Sequence, residues 1–392
     1  MIEKSQQVLL EAIRFSLFGV KPNYPADTDW DAVIKEAKAQ TVMGLISPVI
    51  PVHDESSEQG KAAYMRILYE QDKLLQLLDT NNIPCVILKG CAAAVYYPKP
   101  YLRSMGDVDL LVQHDKFHEA ERLLEANGYI YTHGKNYIEK GQTEPRHIGY
   151  EKNGIEFELH HHFSSSGFDM DDILEEAIAR REYHSLNGYS VPILPEIENG
   201  LVLLGHINQH LKSNNLGLRQ MIDWEMYLHS VMDKTNWKEQ FAPAAKELGL
   251  FTLAVNITKM CSKHLGLPAA IKADDDISDD TSDELMSILL ANGNFGRKAV
   301  SSQTSYGGKI RSVVFAVKNQ GFISFFQEVG LGTWELCKKY PVLKPFAFLY
   351  GMFRHFCRGV TAFFNKAEIK KNISDGKNIY SLYKKIGVRT EK

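Results

Sequence analysis

The hydrophobic period of this chain changes twice, and that change limits its architecture more than any other feature. Over residues 1–81 the apolar residues recur at helical spacing. Val8, Leu9, Ala12, Ile13 and Leu17 form one stripe, and Trp30, Val33, Ile34, Ala37, Val42 and Leu45 a second. A third helix is expected over 56–81, with Tyr64, Ile67, Leu68, Leu74, Leu75 and Leu78 inward. Asn81, Asn82 and Pro84 then break the helix, and IPCVILKG reads as a short buried strand. Over 82–194 short strands alternate with short helices. A helix is expected over 91–97, a strand over 107–112 and a helix over 116–127 closed by Gly128. Strands are expected over 129–132, 147–152 and 155–163, the last two joined by Asn153-Gly154. An accessory hairpin is expected around Asn187-Gly188, with strands over 183–186 and 191–194. From 195 the helical period returns, with segments near 196–212, 217–232, 235–248 and 250–265 and an acidic surface loop over 273–284. The fold class that fits is α+β: a small mixed-sheet core (82–194) between an N-terminal helical region (1–81) and a C-terminal helical region (195–392).

The net charge of -3 conceals a strong asymmetry. Residues 309–392 carry 16 Lys/Arg against 5 Asp/Glu, an excess of +11, which leaves -14 on residues 1–308. Such a tail suits an anionic surface, or a basic bundle packed on an acidic body. Thirteen aromatic residues lie between Phe315 and Phe364, among Lys318, Lys338, Lys339, Lys344, Arg354 and Arg358. The first expectation for this stretch is a bundle core, and the second a peripheral contact with an anionic membrane. Nucleic acid is disfavoured because no reader motif accompanies the charge. A chain 44% hydrophobic excludes disorder as its main state. No uncharged apolar run reaches spanning length, and the five cysteines show no CxxC spacing. The expectation is a cytoplasmic protein in a reducing compartment.

The chemistry concentrates in LKGCAAAVYYPKPYLRSMGDVDLLV, from Leu88 to Val112. Alternation along a strand puts Asp107 and Asp109 on one face, where two like charges repel. A divalent cation between them removes that penalty, and oxygen ligands suit magnesium or manganese. Gly90 is expected where the backbone approaches a ligand. The free N–H groups at Cys91 and the start of the following helix would face a phosphate. Lys89 and Arg103 add positive charge, Arg103 through paired hydrogen bonds to phosphate oxygens.

A glycine, a short helix and then Asp107-Val108-Asp109 in an apolar strand resemble the signature of the DNA polymerase beta superfamily of nucleotidyltransferases. More narrowly, the LKG, Arg103, GDVDLLV and FELHHHF segments are similar to an uncharacterised bacterial nucleotidyltransferase family. The motif-bearing part covers roughly 80 residues, and the bundle around 201–228 resembles that family's helical region more weakly. The resemblance implies that Asp107 and Asp109 bind two Mg²⁺ ions holding a nucleoside triphosphate, with a third carboxylate from a neighbouring strand. In IEFELHHHF, Glu156, Glu158, His160 and His162 share one face and His161 takes the other. The resemblance selects Glu158 as the third carboxylate, with Glu156 as the fallback. The chain departs from the superfamily in carrying Gly90-Cys91 where Gly-Ser is usual, so backbone N–H groups replace a hydroxyl contact. The implied reaction is in-line transfer from the triphosphate to a sugar, a small metabolite, a protein side chain or an RNA end.

Other signals read as structural. Only two of the three histidines at 160–162 can face one side, and no Cys or HExxH partner lies near, which disfavours zinc. His206 and His210, and Asp223 with Trp224, read first as core residues of the bundle, with a role in acceptor binding as the alternative. Cys91 lacks the relay a nucleophile needs. The alternative function is a non-catalytic nucleotide-binding or assembly module that docks a partner or membrane through its basic tail.

Overall fold

The computed structural model describes residues 2–135, 146–163, 169–212, 216–268, 279–294, 313–314, 317–318, 321–360 and 366–388. The N-terminal stripes fold as α1 (Lys4–Phe18), α2 (Trp30–Gln40), α3 (Met43–Ile46) and α4 (Ser56–Thr80). The second stripe divides because Thr41 adopts the left-handed conformation at φ 59° and ends α2. Val42 therefore lies just before the separate turn α3 and Leu45 within it.

Five strands follow: β1 (Cys85–Leu88), β2 (Val108–Val112), β3 (Ile130–His133), β4 (His147–Lys152) and β5 (Ile155–His160). Their order is β1-β2-β5-β4-β3, and only β2 and β5 run parallel. Between them, α5 (Gly90–Ala94) is shorter than the 91–97 helix expected, and α6 (Phe117–Ala126) precedes Gly128 at φ 78°. Asn153 and Gly154 both take positive φ in the tight turn between β4 and β5. After α7 (Asp171–Ala179), Asn187 and Gly188 close the hairpin of β6 (Glu182–Leu186) and β7 (Tyr189–Ile193) by the same turn chemistry.

β1 and β2 are covered on both faces, which explains their near-continuous apolar sequences. Cys85, Ile87, Leu110 and Val112 pack with Leu74 and Leu78 of α4 and Phe117 of α6. Val86, Leu88 and Leu111 face the larger core built by α1, α2, α8 (Glu196–Lys212) and α9 (Leu218–Val231). Asp109 alternates with Leu110 and so lies on the α8–α9 side. The expected acidic loop over 273–284 is revised in part: Asp279–Asn292 is helical, and 269–278 lie outside the described residues.

Near the C-terminus the helices Phe322–Thr333 and Ala347–Val360 pack closely. A Cβ on Gly330 would collide with the Ala347 backbone, and one on Gly351 with Phe326. Among the described residues the expected aromatic core is only partly realised, and the side chains of Phe315, Phe356, Phe363 and Phe364 lie outside them. Phe326 is buried in the seam, whereas Phe322, Phe346 and Phe353 are exposed, the last by 65%. Among the described residues no helix is long and apolar enough to cross a membrane.

Candidate active site

The centre of the site follows from strand register. Because β2 and β5 are parallel neighbours, Asp109 lies opposite Glu158. On the other side Asp109 faces Leu88, one residue before Lys89. Lys89 Nζ lies 2.8 Å from Asp109 Oδ1, and His160 Nε2 lies 2.9 Å from the same oxygen. His160 Nε2 is also 3.4 Å from Glu158 Oε2. A buried carboxylate thus sits between an ammonium and an imidazole, beside a second carboxylate.

The electrostatics follow from those contacts. Burial pushes the Asp109 pKa upward, but the Lys89 charge and the His160 hydrogen bond outweigh it and hold it well below the carboxylate range. Burial opposes the charge on His160, yet its bonds to Asp109 and Glu158 raise its pKa. Lys89 is likewise raised against burial by Asp109 and then Glu158. Burial pushes the Glu158 pKa upward, but the His160 hydrogen bond together with the His160 and Lys89 charges lowers it. Asp107 behaves differently. It precedes the first paired residue of β2 and is exposed, yet its pKa is raised by partial loss of water and then by the Asp109 charge.

The residues expected to act together separate into two sets. Asp109, Glu158 and His160 offer ligand atoms within 4.8 Å of one another, a donor set that fits a divalent cation. Asp107 borders this set and is coupled to it by charge. Glu156 is exposed and pairs with His133 at 3.5 Å, away from Asp109. Lys89 is where the backbone is strained, at φ 50° and ψ -127°, a region that disfavours side chains. Gly90 shows no such requirement, since a Cβ there would meet only the Asp107 carbonyl at an ordinary 3.7 Å. The Cys91 side chain packs in the core, and burial pushes its thiol up to about 12. That suits the structural reading of this cysteine.

Arg103 does not reach the position expected of it. Its Nε and Nη2 donate to Asp223 Oδ1 and Oδ2, each at 2.7 Å, and Tyr97 O–H donates to Oδ1 at 2.7 Å. The arginine and aspartate side chains are only 5% and 6% exposed. The guanidinium ties the loop before β2 to α9, because a buried aspartate takes both prongs of the fork.

Three further side chains are linked to this centre by charge. Arg219 of α9 is half-buried, donates weakly to the Ser104 carbonyl (3.4 Å) and feels the Asp107 charge. His206 and His210 of α8 approach each other at 2.6 Å between Nε2 atoms and lie within the field of Lys89 and Asp109. Burial lowers both, His210 to about 4. The i, i+4 spacing was visible; which face α8 turns to the sheet was not.

No curated protein matches this chain. A solved structure of an antigenic nucleotidyltransferase-like protein from Paracoccidioides brasiliensis is similar at 18% identity and a TM-score of 0.30, over 54% of this chain and 94% of that one. The family model described as uncharacterised nucleotidyltransferase matches residues 26–266, a span that runs from α2 through the sheet to the helix ending at His264, and the chain belongs to that family.

Proposed function

We propose that this protein is a metal-dependent nucleotidyltransferase of the DNA polymerase beta type, moving a nucleotidyl group from a nucleoside triphosphate to an acceptor hydroxyl or phosphate. The observation that carries this reading is the Asp109–Glu158 pair in adjacent parallel strands, with Asp107 at its edge. Asp107, Asp109 and Glu158 would hold Mg²⁺ or Mn²⁺, which when bound makes an acceptor hydroxyl more acidic and neutralises the departing pyrophosphate.

The protein's own groups divide the remaining work. Lys89, at 2.8 Å from Asp109, already places a cation against the carboxylate and would turn to the triphosphate when a metal takes over its partner. His160 keeps Asp109 and Glu158 oriented. Arg219, and not the sequestered Arg103, supplies the second cation for phosphate oxygens. Glu158 holds metal or accepts the acceptor's proton as oxygen attacks the α-phosphorus and the bond to pyrophosphate breaks. The backbone N–H groups at Gly90 and Cys91 would face the triphosphate, and His206 and His210 of α8, within the field of Lys89 and Asp109, would serve the acceptor.

The test is incubation with each labelled triphosphate and a cell extract, reading transferred label and released pyrophosphate. Metal-dependent triphosphate binding should be abolished in the Asp107→Asn/Asp109→Asn double variant, and unchanged binding there would overturn the assignment. A second reading concerns the tail. The exposed Phe322, Phe346 and Phe353, near Lys339 and Lys344, support peripheral contact with anionic lipid. Salt-sensitive pelleting with phosphatidylserine vesicles checks it, and the absence of pelleting would end it.

A further inference from the structure

The parallel pairing that joins Asp109 to Glu158 has a second product at the carboxyl ends of the same strands. Leu111 lies opposite His160, so the chain leaving β2 toward His114 runs beside the chain leaving β5 through His161 and His162. The three imidazoles meet there. Ring centroids are 4.8 Å apart for His114–His161, 4.8 Å for His114–His162 and 4.1 Å for His161–His162. One ring nitrogen from each lies within 4.8 Å of the other two.

The cluster is held from behind. The His161 and His162 N–H groups both donate to the Arg146 carbonyl, at 2.9 and 3.1 Å. His161 stacks on Phe117 of α6 at 4.5 Å with an 18° interplanar angle, so it faces the side of the sheet opposite Asp109. His162 Nδ1 donates to Asp171 Oδ2 at 2.9 Å, and Asp171 Oδ1 accepts the Phe163 N–H at 2.9 Å. That bond leaves the lone pair of His162 on Nε2. A carboxylate behind an imidazole is the arrangement that orients histidine ligands of zinc. Glu175 Oε2 accepts the His114 N–H at 3.2 Å and lies 3.9 Å from its Nε2.

We infer that His114, His161 and His162 form a second metal site, distinct from the acidic centre, that takes a zinc-type divalent transition ion. Nitrogen donors select zinc over magnesium, whereas the oxygen-rich group of Asp109 and Glu158 has the opposite preference. The sequence disfavoured zinc because alternation put only two of residues 160–162 on one side and no Cys or HExxH partner lay near in the chain; the third ligand comes from beyond the end of β2. The ion would staple the ends of β2 and β5 beside α7, so its contribution is to stability. The inference does not depend on the proposed transfer reaction.

The experiment titrates the untagged full chain with Zn²⁺ against a chromophoric chelator and follows Co²⁺ by its visible absorption. The wild type should bind zinc and melt at a higher temperature in its presence. His114→Gln and His162→Gln together should weaken zinc by at least ~100-fold and remove the Co²⁺ bands. His114→Gln alone, at a partly exposed side chain, keeps the test valid if the double variant folds poorly. Asp109→Asn with Glu158→Gln, which also dismantles the His133–His147–Glu158 group, should retain zinc. No zinc bound by the wild type, unchanged affinity in the histidine variants, or loss confined to the acidic variant would each overturn the inference.

Discussion

Arg103–Asp223 and Lys89–Asp109 are both cation–carboxylate pairs with a buried carboxylate beside the loop that leads into β2, and both cations were candidates for phosphate binding. In the first pair the fork of the guanidinium covers both carboxylate oxygens and a tyrosine hydroxyl adds a third bond. In the second a single ammonium reaches one oxygen, with His160 on the same atom and Glu158 and Asp107 within its field. A fully satisfied pair is a structural tie. A pair held at one point, with further carboxylates around it, can exchange its cation for another. Charge type near a loop therefore does not separate these two pairs; the number of acceptor oxygens already taken does.

The largest effect that tests this contrast is on stability. Asp223→Ala strands a buried guanidinium and should reduce the unfolding free energy in urea by about 3–5 kcal/mol. A loss below 1 kcal/mol would break the distinction between the pairs. Next, Asp109→Asn should leave a cooperative unfolding transition while lowering nucleotidyl transfer by at least ~100-fold, measured as pyrophosphate release. Lys89→Met should raise the KM for triphosphate about 10-fold with a smaller change in kcat, because it removes one charged hydrogen bond. Gly90→Ala should change stability by no more than about 0.5 kcal/mol and leave transfer measurable, since a Cβ finds an ordinary contact there. Inactivity of a folded Gly90→Ala protein would restore the glycine to the role first expected of it.

Acidification sharpens the comparison from the α8 side. His206 and His210 have folded pKa values below the ordinary 6.5, so the unfolded chain takes up protons first. Their contribution is complete above 6.5 and is lost as pH falls toward about 4. His160, raised against 6.5, acts with the opposite sign: its contribution is present below 6.5 and lost as pH rises through its folded value. The melting temperature should fall from pH 6.5 to 4, and His206→Leu with His210→Leu should flatten that fall.

Much of the core was legible because strands and turns announce themselves over a few residues. IPCVILKG and DVDLLV are apolar throughout because β1 and β2 are covered on both faces, and two Asn-Gly pairs marked both two-residue turns. Alternation within IEFELHHHF put Glu156 and Glu158 on one face, the family resemblance pointed to Glu158, and it is Glu158 that lies beside Asp109. Arg103 misled because its partner is 120 residues away on α9. Arg219 and His114 escaped notice for the same reason: neither has a neighbour in the chain that marks its surroundings.

Composition and periodicity were enough for the helix–sheet–helix order, the strand boundaries to within three residues and the acidic character of the β2 edge, since each depends on interactions between residues close along the chain. Sheet order, with β2 parallel to β5, brought Asp109 to Glu158 and His114 to His161, and the packing of α9 chose which arginine is withdrawn and which is left near Asp107. Those outcomes depend on contacts between distant segments, whose cost in chain entropy is met only when the whole core closes, so no short stretch of residues contains them.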